Sequence, residues 1–408
     1  MYFRSVWLQA LVTVALVTLV SACGGGGGSA VTTQSTTVVK SNVLRVVVDS
    51  GPTGDNVNRL YTDVTICSPG STSQCQTIAN VLVDTGSTGL RLLASVVDPR
   101  LNLGRLTGAS GLPVLNCAQF VDNTFAWGPL VMADITLAGK LASKVPVQII
   151  ADPEFSAMAG VCSSGTPMNS LRTLGAAGII GLGLFKEDCG AMCETVSNNG
   201  FYFTCTTVAC TSSTPTKLPI SKQLKNPVAL FESDNNGIVI DLPAVSADGA
   251  TSVAGSLIFG VGTDTNNQPP TGSVLTTNAL GYVTTQFEGN TMGTSFIDTG
   301  SNGLYFSSRT IPNCLASGST GFYCPTSTMQ LSATLVGPNA RSVAIPFSIG
   351  NASALFAGAP KAALPTLGGT FADASSFDWG LPFFYGRRVF MGIEGASLGL
   401  EKGPYYAF

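Results

Sequence analysis

Two short segments carry the residues of this chain whose types and spacing are best suited to chemistry. Each contains an aspartate followed by Thr, Gly and Ser, and six of ten positions are identical between residues 83–92 and residues 297–306. The chain of 408 residues has no histidine, which excludes Ser-His-Asp and Cys-His nucleophiles, histidine-ligated zinc or haem, and a histidine general base. The carboxylates of Asp84 and Asp298 are therefore the first candidates for catalysis.

Two aspartates that lie side by side can hydrolyse a peptide bond without histidine or metal. Carboxyl groups held about 3 Å apart cannot both ionise, so they share a proton. The ionised partner takes a proton from a bridging water, which attacks the scissile carbonyl, while the protonated partner donates to the carbonyl oxygen. We therefore expect Asp84 and Asp298 to be the catalytic pair, with no cofactor and no metal.

The repeat also predicts how the two aspartates meet. A glycine-containing apolar element follows each copy, at residues 178–183 and at residues 379–381. Two homologous halves related by a pseudo-twofold axis would bring the two copies face to face.

The remaining pattern is typical of an all-β protein. With 45% hydrophobic and 11% charged residues, the chain has ample apolar surface for a large core and is not disordered throughout. Beyond about residue 41, short apolar runs are broken by Gly, Pro, Asn, Asp and Ser, as in proteins built of short strands. The predicted strands include Val43–Val48, Val145–Ile150, Gly237–Leu242, Ser256–Phe259 and Ser342–Phe347.

These motifs resemble those of the pepsin-like aspartic peptidases, whose signature is a pair of Asp-Thr-Gly-Ser/Thr loops preceded by apolar strand residues. Further similar segments are Gly178–Gly183 beneath the first loop, Gly255–Gly262 with Asp264 at the opening of the second lobe, and Pro382–Phe384 with Arg387–Phe390 near the C-terminus. The resemblance implies a bilobal fold, with an N-terminal β lobe over residues 42–225 and a C-terminal β lobe over residues 226–408. It also implies that an extended substrate binds across the cleft.

The resemblance assigns roles to the residues that follow each aspartate. The supporting loop residues are Thr85, Gly86, Ser87, Thr299, Gly300 and Ser301. Each threonine would hydrogen-bond into the opposite loop, and each serine would donate to the outer oxygen of its neighbouring aspartate. Each glycine allows a tight turn that brings backbone N–H groups close to the carboxylate.

The sequence departs from the family at the hairpin that closes the cleft. The corresponding stretch, residues 117–132, lacks the family's tyrosine and instead contains Phe120, Phe125 and Trp127 as flap candidates. The indole N–H of Trp127 could replace the phenol, and the alternative is an aromatic pair packed on the lobe. A count without gaps places Asp122 at the tyrosine position.

Two further positions differ from the family pattern. Arg91 lies where the family usually has Trp, and Asp378 lies where an apolar residue is expected. These departures concern the geometry of the cleft more than the fold.

The N-terminus reads as a lipoprotein signal peptide over residues 1–22. Arg4 precedes an apolar run that is shorter than the roughly 20 residues needed to span a bilayer. The segment ending in Ala22-Cys23 resembles the lipobox of bacterial lipoproteins, which implies cleavage before Cys23 and acylation of its sulfur; an ordinary secretory signal is the alternative. Gly24 then implies the outer membrane, and residues 23–41 form a flexible Gly/Ser/Thr tether. The anchored N-terminus with paired loops also resembles an uncharacterised family of proteobacterial lipoproteins.

The cysteines indicate an oxidising compartment. Apart from Cys23, ten cysteines remain, and up to five disulfides are expected. Sequence proximity suggests Cys67 with Cys75, Cys314 with Cys324, two bonds among Cys189, Cys193, Cys205 and Cys210, and Cys117 with Cys162. A zinc cluster at residues 189–210 is the alternative. We interpret residues 186–225 as a disulfide-stapled surface insertion, with partner binding as the alternative.

The net charge and the paired aspartate loops together define the expected partners. The formal net charge of −3 offers no electrostatic footprint for nucleic acid. We expect a monomeric aspartic endopeptidase that acts on extended peptides or unfolded proteins and is lipid-anchored to the envelope of a Gram-negative bacterium. Two alternatives are an inactive envelope lipoprotein that binds peptide, protein or glycan through the same fold, and a purely structural surface protein.

Overall fold

The fold is built mainly of β-strands. The computed structural model describes residues 42–408 except residues 157, 163 and 359, and the side chain of Val161 is also outside the description. Strands account for 42% and helices for 10%, so the all-β expectation is confirmed. The expected signal peptide, Cys23 and the tether lie outside the described residues.

The strands follow one another at short intervals along the chain. Up to residue 225 they are β1 Val43–Val48, β2 Leu60–Cys67, β3 Cys75–Asp84, β4 Thr88–Leu93, β5 Val114–Gln119, β6 Thr124–Leu137, β7 Lys140–Ile150, β8 Thr166–Pro167, β9 Gly178–Leu182, β10 Tyr202–Cys205 and β11 Ser213–Pro215. The next are β12 Gly237–Leu242, β13 Val253–Phe259, β14 Leu275–Thr276, β15 Val283–Phe287, β16 Asn290–Ile297, β17 Leu304–Phe306, β18 Met329–Val336 and β19 Ser342–Ile349. The last are β20 Gly368–Gly369, β21 Phe377–Trp379, β22 Arg387–Gly392, β23 Ser397–Leu398, β24 Glu401–Lys402 and β25 Tyr405–Ala407. All five strands named from the sequence are present.

Helices in the described residues are short. The α-helices are α1 Leu171–Leu174, α2 Ala191–Thr195 and α3 Ala352–Ala357. The 3-10 helices are Ala94–Val96, Pro153–Phe155, Gly160–Cys162, Ile220–Lys222, Pro227–Leu230, Thr265–Asn267 and Leu381–Phe384. None of the helices in the described part of the chain is long and apolar enough to cross a membrane.

One large sheet joins strands from early and late parts of the chain. Its 16 strands include the run β3-β2-β1-β13-β12-β22-β25, in which β1 pairs antiparallel with β13 from Val43 opposite Ile258 to Val48 opposite Val253. Val46 and Val48 of β1 are fully buried, and this apolar face explains why a strand so close to the N-terminus is held in place. A second sheet of seven strands contains β15–β21.

Each Asp-Thr-Gly-Ser loop is supported by a strand that passes beside it, with a glycine within the strand at the first loop and directly after it at the second. The strand β9 pairs in parallel with β3 and antiparallel with β4, while β21 pairs in parallel with β16 and antiparallel with β17. Only glycine fits at the closest approach, because a Cβ on Gly181 would lie 2.5 Å from the amide nitrogen of Thr88. At the second loop, a Cβ on Gly380 would lie 2.1 Å from the carbonyl oxygen of Gly303.

The five expected disulfides are confirmed. The bonds are Cys67–Cys75, Cys117–Cys162, Cys189–Cys193, Cys205–Cys210 and Cys314–Cys324. The zinc alternative is wrong, because all four of its cysteines are oxidised in pairs and cannot act as thiolate ligands. Disulfides on this scale indicate an oxidising, exported environment.

A buried asparagine between β1 and β2 connects distant parts of the chain. The Nδ2 of Asn58 donates to the carbonyl oxygens of Asn302 and Leu364, both at 2.8 Å. Its Oδ1 accepts from the Leu364 amide at 2.7 Å and from the Tyr385 hydroxyl at 2.9 Å. Asn302 directly follows the second Asp-Thr-Gly-Ser loop, residues 298–301. The fully buried side chain of Asn58 therefore holds that loop against the segment before β2.

Replacement of Asn58 by alanine should lower the free energy of unfolding by about 3 kcal/mol, because it removes the partners of the buried Leu364 amide and the Asn302 carbonyl, while the Leu364 carbonyl keeps its bond from the Leu367 amide. Chemical denaturation measures this change. The matched control is Asn123→Ala, because Asn123 has a similar left-handed φ of 63°, against 50° for Asn58, but an exposed side chain. Equal losses in the two variants would show that backbone strain, rather than the hydrogen bonds, dominates.

Candidate active site

The structure brings the two predicted aspartates into contact. Asp84 is the last residue of β3, and Asp298 directly follows β16. A carbon atom placed on Gly300 would lie 2.6 Å from Oδ1 of Asp84 and 3.2 Å from Oδ1 of Asp298, so one atom-sized position touches both carboxyl groups. The two residues are 6% and 7% exposed, so their carboxyl groups are largely desolvated.

The same hydrogen bonds surround both carboxyl groups. We call residues 84–87 the first loop and residues 298–301 the second loop. In the first loop, the Gly86 amide donates to Oδ1 of the aspartate at 2.9 Å and the Ser87 hydroxyl donates to Oδ2 at 2.5 Å. In the second loop, the Gly300 amide and the Ser301 hydroxyl make the same two bonds at 2.7 Å and 3.0 Å. These donors orient each carboxyl group and partly replace its lost hydration.

The two threonines cross-link the loops. The Thr85 amide donates to Oγ1 of Thr299 at 3.2 Å, and the Thr299 amide donates to Oγ1 of Thr85 at 2.9 Å. The Thr299 hydroxyl also donates to the carbonyl oxygen of Val83 at 2.7 Å. Both threonines are buried, so these bonds are shielded from water and set the distance between the carboxyl groups.

Burial and the neighbouring charge keep a proton on the pair. Burial raises the pKa of Asp298 well above the usual range of an aspartate. The Asp84 charge and a hydrogen bond between the two carboxyl groups raise it further, while the bonds from Gly300 and Ser301 act in the opposite direction. The protonated form of Asp298 is therefore favoured, as expected for two carboxyl groups that share one proton.

A third carboxyl group lies beside the pair, and sequence reasoning did not predict its burial there. Asp378 is in β21, opposite Phe296 of β16 and Tyr305 of β17. It is 1% exposed, and its Oδ1 has no hydrogen-bond partner among the described residues. The available signal was an acidic residue in place of an expected apolar one, two residues before the glycine of the second apolar-Gly element.

The aromatic flap candidates have different positions from those expected of a cleft-closing group. Phe120 is half-buried next to the hairpin turn, whereas Phe125 and Trp127 are buried in one cluster with Phe203. The Trp127 indole donates to the Phe155 carbonyl oxygen at 2.8 Å. The indole N–H of Trp127 is therefore already bound to Phe155. This favours the alternative in which Trp127 packs on the lobe with other aromatic residues over a replacement of the family's tyrosine hydroxyl by the indole.

The tip of the β5–β6 hairpin instead carries an acidic residue. Asp122 accepts hydrogen bonds from the amide and hydroxyl of Thr124, at 3.0 Å and 2.6 Å, which close the turn. Burial raises the pKa of Tyr305 well above the usual value, and the Asp378 and Asp122 carboxyl groups add to this rise.

Arg91 anchors the cysteine-rich insertion next to the first loop. Its guanidinium donates to the Thr88 carbonyl oxygen at 2.8 Å and lies 3.7 Å from Oδ2 of Asp188. The Tyr202 hydroxyl donates to the same aspartate. Burial raises the pKa of Asp188 to about 6, against the opposing effect of Arg91. Arg91, which lies where pepsin-like peptidases usually have Trp, thus forms a buried ion pair with Asp188 of the segment 186–225.

Comparison with known proteins identifies the family of the chain but no activity. A family model described as a protein of unknown function (DUF3443) matches residues 38–408, so the chain belongs to this family. No curated protein matches it.

Replacement of Thr299 by valine should lower the free energy of unfolding by about 2 to 4 kcal/mol, because it leaves the Thr85 amide and the Val83 carbonyl without partners in a buried site. Urea denaturation provides the measurement. Thr291→Val is the matched control, since Thr291 is exposed on β16. A loss no larger than that of the control would contradict a cross-linking role for Thr299.

Proposed function

We propose that this DUF3443 protein is a bilobal, pepsin-like aspartic endopeptidase. The observation that carries the proposal is the contact between Asp84 and Asp298, two buried carboxyl groups with matching hydrogen bonds. A purely structural clasp needs the threonine cross-links but gains nothing from two adjacent acids, because burying carboxyl groups together is unfavourable.

The environment of the pair supports an assignment of the two roles. Asp298 holds the proton and would donate it to the carbonyl oxygen of the scissile bond. Asp84 would accept a proton from the attacking water, and the bonds from Gly86 and Ser87 orient its carboxylate for this step. The water oxygen forms the new bond to carbon. The C–N bond then breaks as Asp84 passes the proton taken from water to the departing amine, and the proton that Asp298 gave to the carbonyl oxygen returns to Asp298 as the carbonyl re-forms. No covalent acyl-enzyme is formed.

The substrate class follows from the surroundings of the pair. An extended chain that lies across the carboxyl pair could pair with neighbouring strand edges by main-chain hydrogen bonds. This arrangement selects for backbone conformation, so we propose extended peptides or unfolded proteins as substrates. The protein would act as a monomer, because both loops come from one chain.

One observation favours a second function. The hairpin has no tyrosine, and the Trp127 donor is bound to Phe155. A cleft without a donor from the hairpin could bind a peptide, protein or glycan without cleaving it. The alternative is therefore an inactive envelope lipoprotein that uses the same fold for binding.

The enzyme should cleave an unstructured peptide library between about pH 3 and about pH 7, as expected for a carboxyl pair that shares a proton. Asp84→Asn and Asp298→Asn should each lower kcat/KM by about a thousandfold or more, and a statine-type transition-state analogue should inhibit the parent protein. Because the pKa of Asp298 is raised, activity should persist towards neutral pH. It should fall once the pH rises through this raised pKa, where Asp298 loses its proton.

Asp63→Asn is the matched control, since Asp63 is exposed on β2. Equal cleavage by the control and by both active-site variants would contradict the proposal. Binding of the library by the parent protein without cleavage at any pH would support the inactive alternative.

We also propose that the protein is a lipoprotein of the bacterial cell envelope, anchored in the outer membrane. The lipobox resemblance ending at Cys23 supports this location, and the five disulfides are consistent with export. The tether would separate the described residues from the membrane surface.

Cys23→Ala should abolish incorporation of labelled palmitate and move the protein from the detergent phase to the aqueous phase. The reason is that acylation supplies most of the membrane affinity of such a protein. Ser29→Ala, in the same tether, is the control and should retain the label. Palmitate label that survives in Cys23→Ala would contradict the proposed anchor.

A further inference from the structure

The cysteine-rich insertion, residues 186–225, is packed on the elements around the first loop. Its strand β10 pairs antiparallel with β5 of the β5–β6 hairpin, with Tyr202 opposite Asn116. Its end lies against the chain that leaves the first loop, since a Cβ on Gly89 would lie 2.9 Å from the Cβ of Leu224. The insertion therefore contacts both the hairpin and the backbone that follows the first loop.

A group of buried polar side chains joins these contacts. The Asp188 carboxyl group accepts a hydrogen bond from the Tyr202 hydroxyl and lies 3.5 Å from Nδ2 of Asn116. It also lies 3.7 Å from the Arg91 guanidinium, and the side chains of this pair are both 4% exposed. The Tyr202 hydroxyl in turn accepts from the Leu224 amide at 2.9 Å. Strands β4, β5 and β10 thus meet at one carboxyl group.

Arg91 connects this carboxyl group to the first loop. Its guanidinium donates to the Thr88 carbonyl oxygen at 2.8 Å. Thr88 directly follows Ser87, whose hydroxyl donates to Oδ2 of Asp84. The ion pair of the insertion is therefore linked through one backbone carbonyl to the residue that orients Asp84.

The second copy of the repeat has a different side chain at the position of Arg91. Tyr305 occupies it, and its hydroxyl donates to Oδ1 of Asn302 at 2.5 Å. This contact lies within residues 302–305, so it requires no segment from elsewhere in the chain. A buried ion pair has a desolvation cost that its attraction offsets only in part, and the pair beside the first loop therefore calls for a functional explanation.

We propose that the insertion is a functional part of the site: its Asp188 carboxylate holds Arg91, Arg91 fixes the backbone directly after the first loop, and this backbone sets the orientation of Asp84. Asp188 and Arg91 are positioning residues, because they act through the Thr88 backbone rather than on the substrate. Their effect on catalysis rests on the proposed peptidase function, whereas their effect on the loop does not.

The surroundings of Asp188 make its contribution depend on pH. Burial raises the pKa of Asp188 to about 6, while the Arg91 charge and the hydrogen bonds to the carboxyl group act in the opposite direction. In the described part of the chain, the charged or titratable groups that face it are Arg91 of β4 and Tyr202 of β10, since the adjacent Glu187 and Lys225 pair with each other. The carboxyl group is therefore charged at neutral pH and mostly neutral below about pH 5.

Asp188→Asn removes the charge while it keeps the shape of the side chain. At about pH 7 it should lower the kcat of the peptidase by about tenfold to a hundredfold with little change in KM, because a displaced Asp84 impairs the reaction more than binding. Below about pH 5 the variant and the parent should have the same kcat, because the carboxyl group of the parent is then neutral as well. An equal loss at both pH values would show a merely structural role, and an unchanged kcat at pH 7 would show no role; each result would overturn the proposal.

Glu154→Gln is the matched control. Glu154 pairs with Arg105 at the exposed surface, so the loss of this pair should leave kcat unchanged at both pH values.

The path through Arg91 can be tested in a double-mutant cycle. Arg91→Met removes the donor to the Thr88 carbonyl and should also lower kcat at pH 7. If Asp188 acts through Arg91, D188N should cause no further loss of kcat in the R91M background. Additive losses would overturn the path.

Amide hydrogen exchange tests the proposal without substrate. The amides of Gly86 and Gly300 make matching bonds to their aspartates. In D188N at pH 7, the Gly86 amide should exchange at least about tenfold faster than in the parent, while the Gly300 amide is unchanged. R91M should give the same local rise, so the test does not depend on the folding of one variant.

The outcomes of the exchange experiment separate this proposal from the proposed function. If exchange at Gly86 rises in a protein without peptidase activity, the positioning role stands and the proposed function fails. If Gly86 is unchanged, or if Gly86 and Gly300 rise together as in a general loss of stability, the positioning role is overturned whatever the activity.

Discussion

The contact between Asp84 and Asp298 is the constraint on which the surrounding structure depends. Two carboxyl groups leave water together only when a proton is shared and their remaining oxygens receive donors. The loops meet this requirement with two backbone amides and two serine hydroxyls. Glycines at the closest approaches then become necessary, because any side chain there would collide with a carboxyl group or with the neighbouring loop.

The surroundings of the two carboxyl groups are similar but not identical. The strands beside them pair in the same register, yet one contributes Ile179 and the other Asp378. Asn58 also contacts the backbone of Asn302, immediately after the second loop. Such differences between otherwise matching loops give each carboxyl group its own electrostatic environment, and acid and base roles can diverge for this reason.

Sequence reasoning succeeded where local pattern and proximity decide the structure. The strand at Val43–Val48 and the strand at Gly237–Leu242 have the predicted bounds, because alternating or continuous apolar runs between turn residues leave few alternatives. The short-range disulfides followed for a similar reason, since cysteines close in sequence meet easily in an oxidising compartment.

Sequence reasoning was less successful at the β5–β6 hairpin, where the Trp127 side chain could either line the cleft or pack in the core. In the structure the Trp127 indole donates to the Phe155 carbonyl oxygen. The local sequence around Trp127 does not predict a hydrogen-bond partner 28 residues away.

By itself, the sequence determined the all-β class, the number of disulfides and the two Asp-Thr-Gly-Ser segments as the candidate site. These properties depend on residue types and short spacings, which act through local backbone preference and loop closure. Only the tertiary structure decided that the carboxyl groups of Asp84 and Asp298 touch, that Asn58 connects the second loop to the segment before β2, and that Asp378 is buried opposite Phe296. Those relations join residues far apart in the chain, and their energies arise from burial and hydrogen-bond geometry that exist only once the strands have packed.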